Sequence, residues 1–170
     1  MPNHNDVDRN MKDALYYGKI GEDFVENHLR STKGKIIDKI DRAPDKRFKD
    51  WDLYVKFKSG NRCSYEVKAD VVALRTKKLA IEFECNGELS GITATKASYW
   101  FQCLIDQEDN VFRVYKITTS ELRKLITRVN PEIKIGGNGE RVKMFVPLES
   151  YFEEYKIFDI PPKYKCRLLF

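Results

Sequence analysis

Apolar positions in the stretch DLYVKFKSGNRCSYEVKAD, Asp52 to Asp70, fall on every second residue, broken once at SGN. That alternation predicts two half-buried strands joined by a tight turn. A slip of one residue would turn the whole hydrophobic set to water, so Leu53, Val55 and Phe57 must face the same way as Cys63, Tyr65 and Val67. A three-residue loop, Ser59-Gly60-Asn61, with Gly60 or Asn61 left-handed, does this by pairing Phe57 with Cys63, Val55 with Tyr65 and Leu53 with Val67. The other face then carries Asp52 opposite Lys68, with Glu66 diagonal to Asp52 at a Cβ separation of roughly 7–8 Å or less.

Elsewhere the period changes. MKDALYYGKIGEDFVENHLRS repeats its apolar residues at helical spacing, which predicts a helix from about Asp13 to Arg30. Gly18 and Gly21, one turn apart, would let it approach a sheet closely. KIIDKI is a short strand candidate, and the charged DRAPDKRFKD is a loop. LAIEFEC alternates again as a third strand of the sheet, and NGELSGITAT is a glycine-bearing loop. KASYWFQCLID reads as a helical turn capped by Thr95 that becomes a strand, and NVFRVYKIT as the strand after it. TSELRKLITRV is a helix with Thr119 or Ser120 at its N-cap, GGNG at 136–139 a flexible turn, RVKMFV a strand, and PPKYKCRLLF a stiff diproline with an apolar tip. The expected fold class is α/β: a mixed β-sheet of about five strands flanked by helices. A single domain is expected over 1–170, with its core at about 13–130, a flexible 1–12 and a C-terminal extension at 151–170.

Composition narrows the function. The chain is 42% hydrophobic and 34% charged. It has no apolar run near the ~18 residues of a membrane span, and MPNHNDVDRN lacks an apolar signal core. A soluble protein of the cytoplasm, with no membrane partner, is the expectation. Cys63, Cys85, Cys103 and Cys166 form no CxxC, which with only two histidines argues for free thiols rather than a zinc site. The net charge of +5 is uneven. Residues 30–80 hold fifteen Lys and Arg against seven Asp and Glu, leaving sixteen against nineteen in the remainder. A basic region on the predicted hairpin raises the local concentration of polyanions such as nucleic acid.

Two carboxylates on one strand face can grip a hard divalent cation, and Mg²⁺ suits them, since it takes one or two carboxylates plus water and substrate phosphate. Lys68 beside them would steady a hydroxide nucleophile or charge growing on a phosphate. Glu-x-Lys occurs three times, at Glu66/Lys68, Glu132/Lys134 and Glu154/Lys156. Only the first lies on a strand whose hairpin partner presents an aspartate on the same face. Glu82 and Glu84 on the next strand read as a solvated face, with one of them able to reach a second metal. SGITATK offers hydroxyls and backbone N–H groups at a helix start, so Thr93, Thr95 and Lys96, together with Arg62 in the basic stretch, are candidates for gripping a DNA backbone. Tyr99, Trp100 and Phe101 read as core before they read as a base-stacking surface.

The order GEDFVENHL, then DLYV, then EVK resembles the PD-(D/E)XK nuclease superfamily over about residues 15–105, most of all its Holliday-junction-resolvase-type and phage-encoded members. The resemblance implies a restriction-endonuclease-like core and a Mg²⁺- or Mn²⁺-dependent DNA endonuclease that leaves 5′-phosphates. It assigns catalysis to Asp52, Glu66, Lys68 and Glu22, and metal binding to Asp52, Glu66, Glu22 and the Val67 carbonyl. Branched DNA and a homodimer are implied partners, by family analogy. The family's usual proline before the aspartate is Trp51 here, which leaves Asp50 as a competing candidate. Two other classes fit the same residues: a nuclease-fold nucleic-acid-binding protein without turnover, and an interaction protein whose CRLLF tail docks on a partner.

Overall fold

In the computed structural model, residues 4–45, 47–136 and 140–163 are described, with side chains from residue 14 onward. A long helix α1 (His4–Lys33) opens the chain. It begins well before Asp13, because nothing between 4 and 12 breaks a helix, so the segment expected to be flexible is helical from residue 4. Three antiparallel strands follow: β1 (Ile37–Arg42), β2 (Leu53–Phe57) and β3 (Arg62–Asp70). The chain then crosses over, through a short helix α2 (Ala73–Thr76), strands β4 (Ile81–Cys85) and β5 (Glu88–Leu89) and a 3₁₀ turn at Gly91–Thr93. It returns as β6 (Tyr99–Ile105), parallel to β3, then β7 (Val111–Thr118) and helix α3 (Thr119–Val129). Strands β8 (Ile133–Gly136) and β9 (Val142–Phe145), a 3₁₀ segment at Glu149–Tyr155 and β10 (Lys156–Asp159) complete the order.

The main sheet is mixed and has six strands, β1-β2-β3-β6-β7-β10, and a second sheet has four, β5-β4-β9-β8. β4 therefore leaves the main sheet that it was expected to extend. It takes β9 as its partner, with Ile81 opposite Phe145 and Phe83 stacked on Phe145 at 4.3 Å. Within 151–163, β10 pairs with β7 at the edge of the main sheet. The tail CRLLF and positions 137–139 of the GGNG turn lie outside the described residues. No helix among the described residues is long and apolar enough to cross a membrane. Cys63, Cys85 and Cys103 are free thiols.

Each face of the main sheet has its own core. On one, Val25 and Leu29 of α1 pack with Leu53, Val55, Tyr65, Val67, Phe101 and Cys103. On the other, Leu122, Leu125 and Ile126 of α3 pack with Trp100, Leu104, Phe112, Tyr115 and Ile117. Trp100 and Phe101 are thus core residues on opposite faces, as strand alternation requires. Gly21 brings α1 close: a Cβ there would lie 3.4 Å from Val67 Cγ1 and 3.7 Å from Ala69 Cβ. Gly18 has open space beside it and serves no such approach. Thr118, one residue before the expected caps, caps α3 by accepting the Glu121 N–H, while the Thr119 hydroxyl donates to the Ala97 carbonyl at 2.7 Å.

The hairpin has the expected faces and a different register. Leu53 pairs with Tyr65 and Val55 with Cys63, two residues away from the expected pairing. The loop is Lys58-Ser59-Gly60, closed by the Phe57 N–H to the Asn61 carbonyl at 2.8 Å, and Gly60 takes the positive φ of 89°. A slip of two keeps every side chain on its face, so hydrophobic alternation does not resist it.

Candidate active site

Asp52, Glu66 and Lys68 come together at the rim where β2 meets β3, on the face away from α1. Asp52 is not opposite Lys68. Just before β2, the Asp52 N–H donates to the Tyr65 carbonyl, and its Oδ2 accepts the Val67 N–H at 2.7 Å. Its carboxyl continues the ladder where the β2 backbone leaves it. Asp50 points elsewhere, its Oδ2 held by Lys96 Nζ at 3.1 Å.

Glu66 is 6% exposed. Its Oε1 meets Lys68 Nζ at 2.8 Å, and its Oε2 accepts the Thr95 hydroxyl at 2.9 Å. Thr95, at 3% exposure, also donates toward the Asp50 carbonyl at 3.1 Å. No helical turn starts there, because Thr95 and Lys96 are drawn instead onto Asp50 by their hydroxyl and N–H groups. Thr95 therefore sits beneath the carboxylate, not on a surface that could grip DNA. Thr93 belongs to the 3₁₀ turn and donates to the Ser90 carbonyl at 2.7 Å. Lys96 is exposed and paired with Asp50. Arg62 is exposed at the far end of the hairpin, opposite Lys56, on the same strand face as Glu66.

Glu22 lies on α1 at the edge of this group, 3.5 Å from Arg42 Nη1, and shares a second hollow with Asp52, Phe48 and Glu140. Burial, opposed by Arg42, holds its carboxyl above the ordinary value. The Asp52 carboxyl is pushed up to about 6, first by burial and then by the negative charge of Glu66, with Glu22 adding to it. Burial alone would lower the Lys68 ammonium. Glu66, Asp52 and Glu82 around it outweigh that and raise it, so the lysine stays charged. Lys68 Nζ also stands 5.8 Å over the Trp100 ring.

A cleft of about 510 Å³ opens over these residues. Asp52, Glu66 and Lys68 form its floor, and Glu82, Ser90 and Glu140 are among its walls. Glu82 is the residue that reading the strand face as solvated undervalued. The β4–β9 register slips between Glu82 and Glu84, and such a bulge re-aims side chains. Glu84 goes to Lys143 at 2.6 Å, whereas Glu82 enters the cleft, receives the Ser90 hydroxyl, and is held above its ordinary value chiefly by burial. Gly91 makes this wall possible: it has φ 48°, and a Cβ there would collide with the Glu82 carbonyl. Glu140 could not have been found locally, since the pairing of β9 with β4 carries it across.

Among the described residues, no three His, Cys, Asp or Glu side chains are gathered closely enough to cage a metal by themselves. The donors do suit a hard cation that keeps its water: carboxylate oxygens on adjacent strands, with more negative charge than Lys68 alone balances. Searched against protein families, curated proteins and solved structures, the chain matches none.

Proposed function

We propose that this chain is a Mg²⁺- or Mn²⁺-dependent DNA endonuclease of PD-(D/E)XK type. The observation that carries the reading is electrostatic. Asp52 and Glu66 are crowded at the floor of one cleft with Glu82 near by, Asp52 is pushed up to about 6, and Lys68 faces them, while Lys49 on the same cleft is paired with Glu88 and Glu22 at the edge with Arg42. A fold gains nothing from such an arrangement, and a divalent cation relieves it.

Asp52, Glu66 and the Val67 carbonyl would hold the ion, with Glu22 at its outer edge. When bound, it polarises the scissile phosphate and lowers the pKa of a bound water. The protein's own contributions surround that step. Thr95 orients Glu66 from below, and the Val67 N–H fixes Asp52, so neither carboxylate must be organised during the reaction. Lys68 remains an ammonium, able to orient the attacking water and to neutralise charge that develops on the phosphate. In-line attack leaves a 5′-phosphate. Branched DNA as substrate and a homodimer with two such clefts belong to the same proposal.

The test is a cleavage assay on a labelled four-way junction, flap, linear duplex and single strand, with Mg²⁺, Mn²⁺ or EDTA. Wild type should cut only with metal, and Glu66→Gln should cut nothing while still binding DNA. Binding without cutting in either metal would end the nuclease reading and leave a binding protein.

A further inference from the structure

Beside the cleft, three aromatic rings form a row that belongs to neither core. Phe48 meets Trp51 edge-on, with ring centroids 4.7 Å apart, and Trp51 leans on Tyr54 at 5.2 Å. All three are half-buried, and they are absent from both hydrophobic clusters of the main sheet. Phe48 lines the 510 Å³ cleft and also the second hollow that Asp52 and Glu22 share, so the row begins at the carboxylates. It ends on Tyr54, which pairs with Ser64. The next pair along that strand face is Lys56 opposite Arg62. Lys56 makes an exposed contact with Asp38 at 3.2 Å. Rings beside the carboxylates, with cations next to Tyr54 on its strand face, suit a single strand, whose bases stack and whose phosphates need charge.

We propose that Phe48, Trp51 and Tyr54 form a platform for unpaired DNA bases, so that the substrate of this site is DNA with a single-stranded segment next to the scissile bond. The position next to a scissile bond rests on the nuclease reading; the platform itself does not. Aromatic rings accept any base on their π-face, so the platform reads strandedness rather than sequence. The aromatic run Tyr99-Trp100-Phe101 offers no competing surface, because Trp100 and Phe101 are buried.

Trp51 reports on itself. The chain has two tryptophans, and the other, Trp100, is fully buried. In EDTA, where no cutting occurs, a short oligothymidylate should quench the tryptophan emission of the full chain. In Trp51→Phe that quenching should vanish while binding, followed by anisotropy of a labelled oligonucleotide, persists. Trp51→Ala and Phe48→Ala should each weaken binding of the single strand about tenfold and leave blunt duplex binding unchanged. Failure of the oligothymidylate to bind, binding without quenching, or alanine variants that hold single strand as tightly as wild type would each overturn the platform. The two readings fail separately. A metal-dependent enzyme whose alanine variants keep the wild-type ratio of flap to duplex cutting retains the nuclease and loses the platform. Quenching by a protein that never cuts retains the platform and loses the nuclease.

Discussion

Glu149 and Glu66 are both buried against cations, and the fold treats them differently. Glu149 is 6% exposed, and its Oε1 accepts both Arg113 Nη1, at 2.5 Å, and the Tyr115 hydroxyl, at 2.8 Å. Arg113 continues to Asp159 at 2.9 Å, and Lys156 closes on the same aspartate at 3.1 Å. Cations and carboxylates alternate, and the result shows at Asp159: burial works to raise its carboxyl, but the bonds from Arg113 and Lys156 hold it below the ordinary value. Around Glu66 the count is lopsided. Lys68 faces Glu66, Asp52 and Glu82 at once, and Asp52 is raised to about 6. The fold can therefore partner a buried carboxylate with alternating cations, and it does so at Glu149, which with Arg113 lines a smaller hollow of about 330 Å³. At the cleft it leaves an excess of negative charge, which is the pattern of groups placed for a ligand at the expense of stability.

Four substitutions sharpen or break this contrast. Lys68→Met should lower the cleavage rate per folded molecule about 10²- to 10³-fold, read as single-turnover kinetics with saturating metal. A fall of less than tenfold would mean that the lysine only balances charge. Arg113→Ala should cost about 3 kcal/mol of stability by leaving the buried Glu149 charge with no cation and only the Tyr115 hydroxyl, seen as a lower urea midpoint, with the cleavage rate of the folded protein unchanged.

Asp52→Asn should go the other way and stabilise the metal-free protein at pH 7, by on the order of 1 kcal/mol, while abolishing cleavage. The sign follows from the raised carboxyl. Its protonated form is favoured by folding, so its share of stability is complete below the ordinary value near 4 and is lost as pH rises to about 6. The gain from asparagine should therefore disappear below about pH 4. Thermal melts of both proteins across that range check it, and a destabilised Asp52→Asn at pH 7 would contradict the charge imbalance. Asp159→Asn should show the smallest effect, under about 1 kcal/mol, since the pair is partly exposed. Its carboxyl is lowered, so its stabilisation holds above the ordinary value and fades as pH falls through the folded one. Parallel pH titrations of the melting temperature should show the two aspartates trending in opposite directions.

Much of the site was legible because it lies on one hairpin. Alternation places Asp52, Glu66 and Lys68 together on a face opposite Leu53, Val55 and Val67, and the structure keeps that sorting. The register escaped for a physical reason: parity is blind to a slip of two, and turn chemistry at Lys58-Ser59-Gly60 makes the choice. Thr95 was readable as a hydroxyl near a helix start but not as the group under Glu66, because its partners Asp50 and Glu66 lie 45 and 29 residues away. Glu82 in the cleft, Glu140 across from it, and β10 at the sheet edge likewise depend on pairings between distant strands that no local pattern encodes.

The parallel pairing of β3 with β6, from Tyr65 opposite Tyr99 to Asp70 opposite Leu104, has a consequence for the order in which the molecule comes into being. The β2–β3 hairpin can close early, since its ends are near in sequence. Parallel strands must wait for the intervening chain to be folded back, which makes them a late event. The acidic pair thus rests on contacts within one hairpin, whereas its support from Thr95 and the cleft wall carried by β4 come from 29 or more residues along the chain or across the second sheet.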